Sequence, residues 1–141
     1  MRPHQIKLRM PDKPGHISKV SELLGVNGIS IKAIAENNEG DQGVLTIVVD
    51  DHQRGVMVLR GHGYEVEESP VIAAYAPDHP GGLNALFKPL REAGVNIERL
   101  YLSVARKSTN QLIIIQVDDC EKGTAALRAN YVEVIEGRIT F

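Results

Sequence analysis

MPDKPGHIS stands at residues 10–18 and APDHPGGLN at residues 76–84. Both carry Pro-Asp-x-Pro-Gly, 66 residues apart, and the surrounding sequence repeats with them. At that offset Pro11, Asp12, Pro14 and Gly15 fall on Pro77, Asp78, Pro80 and Gly81. Leu24 falls on Leu90, Gly28 on Gly94 and Ile31 on Ile97. The offset then grows to 68, which needs two extra residues in a loop around 104–111. Beyond it Asp50, Asp51, Gly55, Leu59 and Arg60 fall on Asp118, Asp119, Gly123, Leu127 and Arg128. Two copies indicate a tandem pair, not a solenoid.

Each copy reads as strand, helix, strand, strand, helix, strand. In the first, QIKLR (5–9) alternates as a half-buried strand does. Pro14 and Gly15 open a helix whose apolar stripe is Ile17, Val20, Leu23 and Leu24, and Asn27-Gly28 stops it. ISIKAIA (29–35) and GVLTIVV (43–49) read as strands joined by the turn ENNEGDQ. Asp51 suits the N-cap of a helix over 52–62, with Gly63 as its stop. YEVEE (64–68) is the last strand, and the charged EVEESP leads into a linker. The second copy gives VIAAY (71–75), a helix over 82–93, NIERLYLSV (96–104), QLIIIQV (111–117), a helix over 120–130 and YVEVI (131–135). Pro89 should bend or shorten its helix. Leu100, Leu102 and Val104 are out of phase with Ile97 and Tyr101, which calls for a bulge or for burial of both faces.

The right-handed crossover rule makes the split βαβ arrangement the natural solution. The expected fold is α+β: two ferredoxin-like βαββαβ units, 1–69 and 70–141, with antiparallel sheets and helices on one face. Units of about 65–70 residues are marginal alone, so the copies are expected to pack together. Edge strands favour continuous sheets between units and therefore a dimer.

Composition narrows the function. The 43% hydrophobic content supports a real core, while aromatics are 4% and Trp is absent. A net charge of −2 gives no electrostatic reason for nucleic-acid or anionic-membrane binding. Apolar runs such as LIII (112–115) are too short to span a bilayer. The N-terminal stretch lacks the apolar core of a signal peptide, so a cytoplasmic protein is expected. Cys120 is the only cysteine, which excludes an intrachain disulfide and a Cys-only metal site. An RNA-recognition sheet would need aromatics on its central strands, and 43–49 and 111–117 have none. No P-loop, triad or zinc-ligand spacing is present. His4, His16, His52, His62 and His79 form no i, i+4 pair within a helix. The expectation is a non-enzyme without cofactor or metal ligands.

The repeated loop remains. Pro stiffens it, and Gly lets backbone come close to a bound group. Free N–H groups at residues 15–17 and 81–83 can hold a carboxylate, and the adjacent Asp can hold an ammonium or cap the helix. Together these describe an α-amino acid. The residues alone leave a second reading equally open, a turn-and-cap motif without ligand.

The element order, the D-x-P-G turn and the glycine-hydrophobic-Asn/Ser-Ile ending of the first helix resemble the ACT domain. DHPGGLNALFKPLREAGVNIERLYLS (78–103) and DKPGHISKVSELLGVNGISIKAIA (12–35) carry the resemblance, which extends over nearly the whole chain. It implies a regulatory module that binds an amino acid where two units meet, with a regulated protein or an oligomer change as its output. In the serine-sensing dehydrogenases of the family the loop reads H-x-N-x-P-G, and the asparagine of G-V-N-I on the partner unit completes the site. Here Asp12 and Asp78 take the loop asparagine position, and Met10 and Ala76 depart from its histidine. Asn96 matches the partner asparagine, where copy one has Ser30. The site residues implied are Asp12, Lys13, Pro14, Gly15, His16, Ile17 and Ser30 in copy one. In copy two they are Asp78, His79, Pro80, Gly81, Gly82, Leu83, Asn96 and Ile97. An Asn reaches further than a Ser and both donates and accepts, so if the copies pair, the first loop, facing Asn96, is expected to own the better pocket. The alternative is a protein–protein regulatory module without a working pocket.

Overall fold

The computed structural model describes residues 2–139, which contain seven strands and four helices. They divide into two compact units, one of residues 4–69 with Arg138 and Ile139, the other of residues 70–137 with Arg2 and Pro3. The termini therefore cross over: Val71 N–H donates to Pro3 C=O at 2.9 Å, and Arg138 Nε donates to Asp50 C=O at 2.8 Å.

The first unit runs β1 (His4–Pro11), α1 (His16–Val26), β2 (Ile31–Glu39), β3 (Gln42–Val49), α2 (His52–Gly61) and β4 (Val66–Pro70). Its strands lie in the order β4-β1-β3-β2, the split βαβ arrangement. Both β1 and β2 pair antiparallel with β3. Every second residue of β1 and β3 (Ile6, Leu8 and Met10; Leu45, Ile47 and Val49) meets Val20 and Leu24 of α1 and Val56 and Leu59 of α2. Val44, Thr46 and Val48 are buried as well. That is why this stretch reads as a continuous apolar run and not an alternation. The turn expected over ENNEGDQ is much tighter. Strand β2 continues to Glu39, and only Gly40 (φ 62°) and Asp41 separate it from β3. A two-residue turn with positive φ matches strand twist, so the polar residues 36–39 stay in the ladder.

The second unit runs β5 (Ile72–Pro77), α3 (Asn84–Glu92), β6 (Ile97–Lys107), β7 (Asn110–Val117) and α4 (Cys120–Ala129). β7 lies between β6 and β5, antiparallel to both. Ile72, Ala74, Ile113 and Ile115 face Leu86, Leu90 and Leu127. Helix α3 is two residues shorter than α1, with Pro89 inside it. Cys120 is buried in this core, and burial pushes its thiol pKa up.

The strand expected over YVEVI does not form; it is reduced to one bridge between Val134 and Ala74. Tyr75 N–H donates to Glu133 C=O at 3.0 Å and Ile135 N–H to Ala73 C=O at 2.8 Å, and pairing stops there. The chain enters this segment through Tyr131 at φ 63°, where the first copy has Gly63 at φ 86°. The expected bulge in β6 is present, as register shifts between Ile97 and Arg99 and between Leu102 and Arg106. Gln111 Nε2 spans the second, donating to the carbonyls of Ser103 (2.7 Å) and Ala105 (3.1 Å). Tyr101, Ser103 and Ala105 are buried, whereas Leu100, Leu102 and Val104 are exposed. No helix among the described residues is long and apolar enough to cross a membrane.

Candidate functional site

In the first unit β1 ends at Pro11, and Asp12 N–H donates to Asp41 C=O at 3.2 Å, tying the loop to the β2–β3 turn. Gly15 takes φ 88°, a left-handed conformation that glycine adopts without steric cost. It serves as N-cap of α1 with no side chain capping the helix. His16 N–H turns back to Lys13 C=O at 3.2 Å, and Lys19 N–H reaches Gly15 C=O at 3.0 Å. The amides of Ile17 and Ser18 have no partner among the described residues. Of the donors expected at 15–17, the loop satisfies His16 itself, and Ser18 joins Ile17 as an open donor at the helix start. Residues 12–18 line one open concavity, which brings Asp12, Lys13, Pro14, Gly15, His16 and Ile17 together. Among the described residues the Asp12 carboxylate has neither a hydrogen bond nor an ion pair.

The second loop has closed on itself. Gly82 N–H donates to His79 C=O (2.8 Å), Asn84 to Gly81 (3.1 Å), Ala85 to Gly82 (3.1 Å) and Leu86 to Leu83 (3.0 Å). These i to i+3 bonds consume Asn84 N–H, the counterpart of Ser18 N–H, whereas Leu83 N–H, the counterpart of Ile17 N–H, has no partner among the described residues. A Cβ on Gly82 would lie 1.9 Å from the Pro77 carbonyl oxygen, so only glycine permits this winding. Asp78 is engaged by Arg106 at 3.1 Å, and Arg106 follows the β6 bulge. His79 Nδ1 is 2.9 Å from Pro80 C=O.

Ser30 and Asn96 occupy equivalent turns. Ser30 N–H donates to Asp50 Oδ1 at 2.9 Å and Asn96 N–H to Asp118 Oδ1 at 3.0 Å. These bonds fix the backbone and leave both side chains exposed. Asn96 and Ile97 line a separate open concavity with Phe87, Arg91, Gly94 and Val95. Ser30 does not line the first loop's concavity.

Three neighbours escaped the sequence reading. Glu36 lay in the presumed turn, and its Oε1 is 3.7 Å from His16 Nε2. Gly43 underlies the same ring; a Cβ there would be 3.0 Å from Nε2. Arg106 lay in the loop expected around 104–111, whereas β6 runs on to Lys107.

Residues 71–134 match the family model of the ACT domain. The chain is 26% identical over 140 residues to an aspartokinase from Corynebacterium efficiens, covering 88% of this chain. It spans only 32% of that aspartokinase's length. Among solved structures it is similar to the regulatory subunit of aspartate kinase from Thermus thermophilus, with 26% identity, a TM-score of 0.68, and 92% and 91% of the two chains covered. It shares the fold of a Bacteroides thetaiotaomicron protein at a TM-score of 0.87 and 23% identity, over 96% and 92% of the two chains. Residues 71–134 are an ACT domain, and the chain pairs it with a second unit of the same ferredoxin-like design.

Proposed function

We propose that this chain is a non-catalytic regulatory protein that binds an amino acid at the loop of residues 12–18. The observation that carries the reading is the pairing of open Ile17 and Ser18 amides with an unengaged Asp12 carboxylate on one concavity. Amides at a helix start take a carboxylate, and Asp12 takes an ammonium. Asn96 and Ile97 of an ACT-type unit in a second copy close the pocket. The second loop is the weaker site, since Asn84 N–H, the counterpart of Ser18 N–H, and Asp78 are already used. Binding favours whichever arrangement of units closes around the ligand, and a homodimer or a regulated enzyme reads it out. Likeness to a regulatory subunit of aspartate kinase supports the regulatory part.

The exposed Leu102 and Val104 on β6 favour a second reading, a protein-binding module without ligand. Thermal melting of the full chain against each of the twenty amino acids separates the two. A ligand at 100 times its Kd adds about 2.7 kcal/mol of stability. A shift with one amino acid or a few related ones supports the proposal; no shift with any of them supports the second reading.

A further inference from the structure

We infer that Asp12, His16 and Glu36 form a site for a divalent first-row transition ion. One donor atom from each lies within 4.8 Å of the other two. Its key is the imidazole. His16 Nδ1 sits 2.5 Å from Lys13 C=O. A carbonyl only accepts, so Nδ1 carries the proton and Nε2 presents its lone pair, the arrangement in which a backbone carbonyl orients a metal-bound histidine. Nε2 is buried and has no hydrogen-bond partner among the described residues. It faces Glu36 Oε1 at 3.7 Å, beyond hydrogen-bond length and within the span of one ion ligated by both. Such a buried acceptor costs free energy unless a cation or a donor fills the gap.

Donors around a tetrahedral zinc at about 2.0–2.1 Å lie roughly 3.4 Å apart. The His16–Glu36 pair is already close to that spacing. Asp12 is exposed and can close the remainder by a rotamer change. Two carboxylates balance the ion's charge, and the imidazole selects zinc, cobalt or nickel over magnesium and calcium. The second unit serves as an internal contrast. Gly82 stands where the first copy has His16, Leu102 where it has Glu36, and Asp78 is held by Arg106. The register shows the equivalence: Glu36 pairs with Leu45 on β3, and Leu102 with Ile113 on β7. The site therefore belongs to the first unit alone. It shares Asp12 with the amino-acid reading but not the Ile17 and Ser18 amides, and its test contains no amino acid, so either can fail alone.

The test is calorimetric titration of Zn2+ into the tag-free, EDTA-stripped full chain without any amino acid, and into His16→Gln, Glu36→Gln and His52→Ala. The last variant removes the other histidine cluster, in which the His4 and His52 rings lie 5.3 Å apart. The expected result is one Zn2+ per chain, weakened at least tenfold in both His16→Gln and Glu36→Gln and unchanged in His52→Ala. Removal of a ligand should cost no less than removal of an orienting neighbour, about 10–100-fold. Glu36→Gln alters a partly exposed strand residue, and circular dichroism verifies its fold. Co2+ titration adds a visible band that reports ligation itself. Absence of Zn2+ binding, binding that survives Glu36→Gln in a folded chain, or binding lost in His52→Ala would overturn the assignment.

Discussion

Asp12→Asn tests the asymmetry between the two loops. The substitution keeps the size of the side chain and removes its charge. Among the described residues the carboxylate has no partner, so folding stability should stay within about 0.5 kcal/mol of the parent. Ligand affinity should not. A hydrogen bond between charged groups contributes about 1.5–3 kcal/mol net, and the open, wet position of this loop places it at the lower end. About 1.4 kcal/mol is a factor of ten in Kd, so roughly tenfold weaker binding is expected. Asp78→Asn is the matched control. Asp78 already faces Arg106 at 3.1 Å, an exposed pair worth about 0–1 kcal/mol, and Asn84 N–H, the counterpart of Ser18 N–H, is consumed. Affinity should change less than about threefold there. Titration calorimetry with the stabilising amino acid, run in EDTA to silence any bound metal, reads both variants. Equal losses in the two, or a loss only in Asp78→Asn, would refute the reasoning.

Tyr131→Gly should raise stability by about 0.5–1 kcal/mol in urea denaturation, because a fully exposed tyrosine at φ 63° pays a left-handed backbone cost that Gly63 avoids; destabilisation would contradict this. Gly55→Ala should destabilise by about 1–2 kcal/mol, since its Cβ would meet the stiff Val49 Cγ2 at 2.9 Å. Gly123→Ala should be milder, because its contact at 2.9 Å is the movable Ile72 Cδ1; the reverse order in denaturation would refute the packing argument. The hydrogen bond from His52, helped by the charges of His52 and Arg60, holds the Glu68 carboxyl below its usual 4.5 despite some desolvation. A depressed carboxyl stabilises the fold above its unfolded pKa and loses that contribution as pH falls through the native value. The stability gap between the parent and Glu68→Gln should therefore shrink from pH 7 to pH 3.5, and a constant gap would contradict the assignment.

The repeat made the architecture legible, because equivalent residues do the same work twice. Gly15 and Gly81 both take positive φ, as do Gly28 and Gly94. Asp51 and Asp119 both cap a helix, accepting from Arg54 N–H and Lys122 N–H. The expected strand over 131–135 shrinks to the single Val134–Ala74 bridge, an extent of pairing that alternation does not encode. The loops were legible as a motif but not as a contrast. Which amides are open depends on how tightly the chain winds after Gly81, and Asp78's partner is delivered by a bulge that shifts Arg106 by register. Glu36 was missed because a polar strand end reads as turn when the hairpin needs only two residues.

The central claim is that the first loop, through the Ile17 and Ser18 amides, receives an amino acid. Amide NMR spectra of the full chain titrated with each amino acid in EDTA test it directly. With the correct ligand the Ile17 and Ser18 signals should move first and saturate together, while those of residues 82–86 stay in place. Unmoved Ile17 and Ser18 signals with every amino acid, or shifts confined to residues 82–86, would contradict the account.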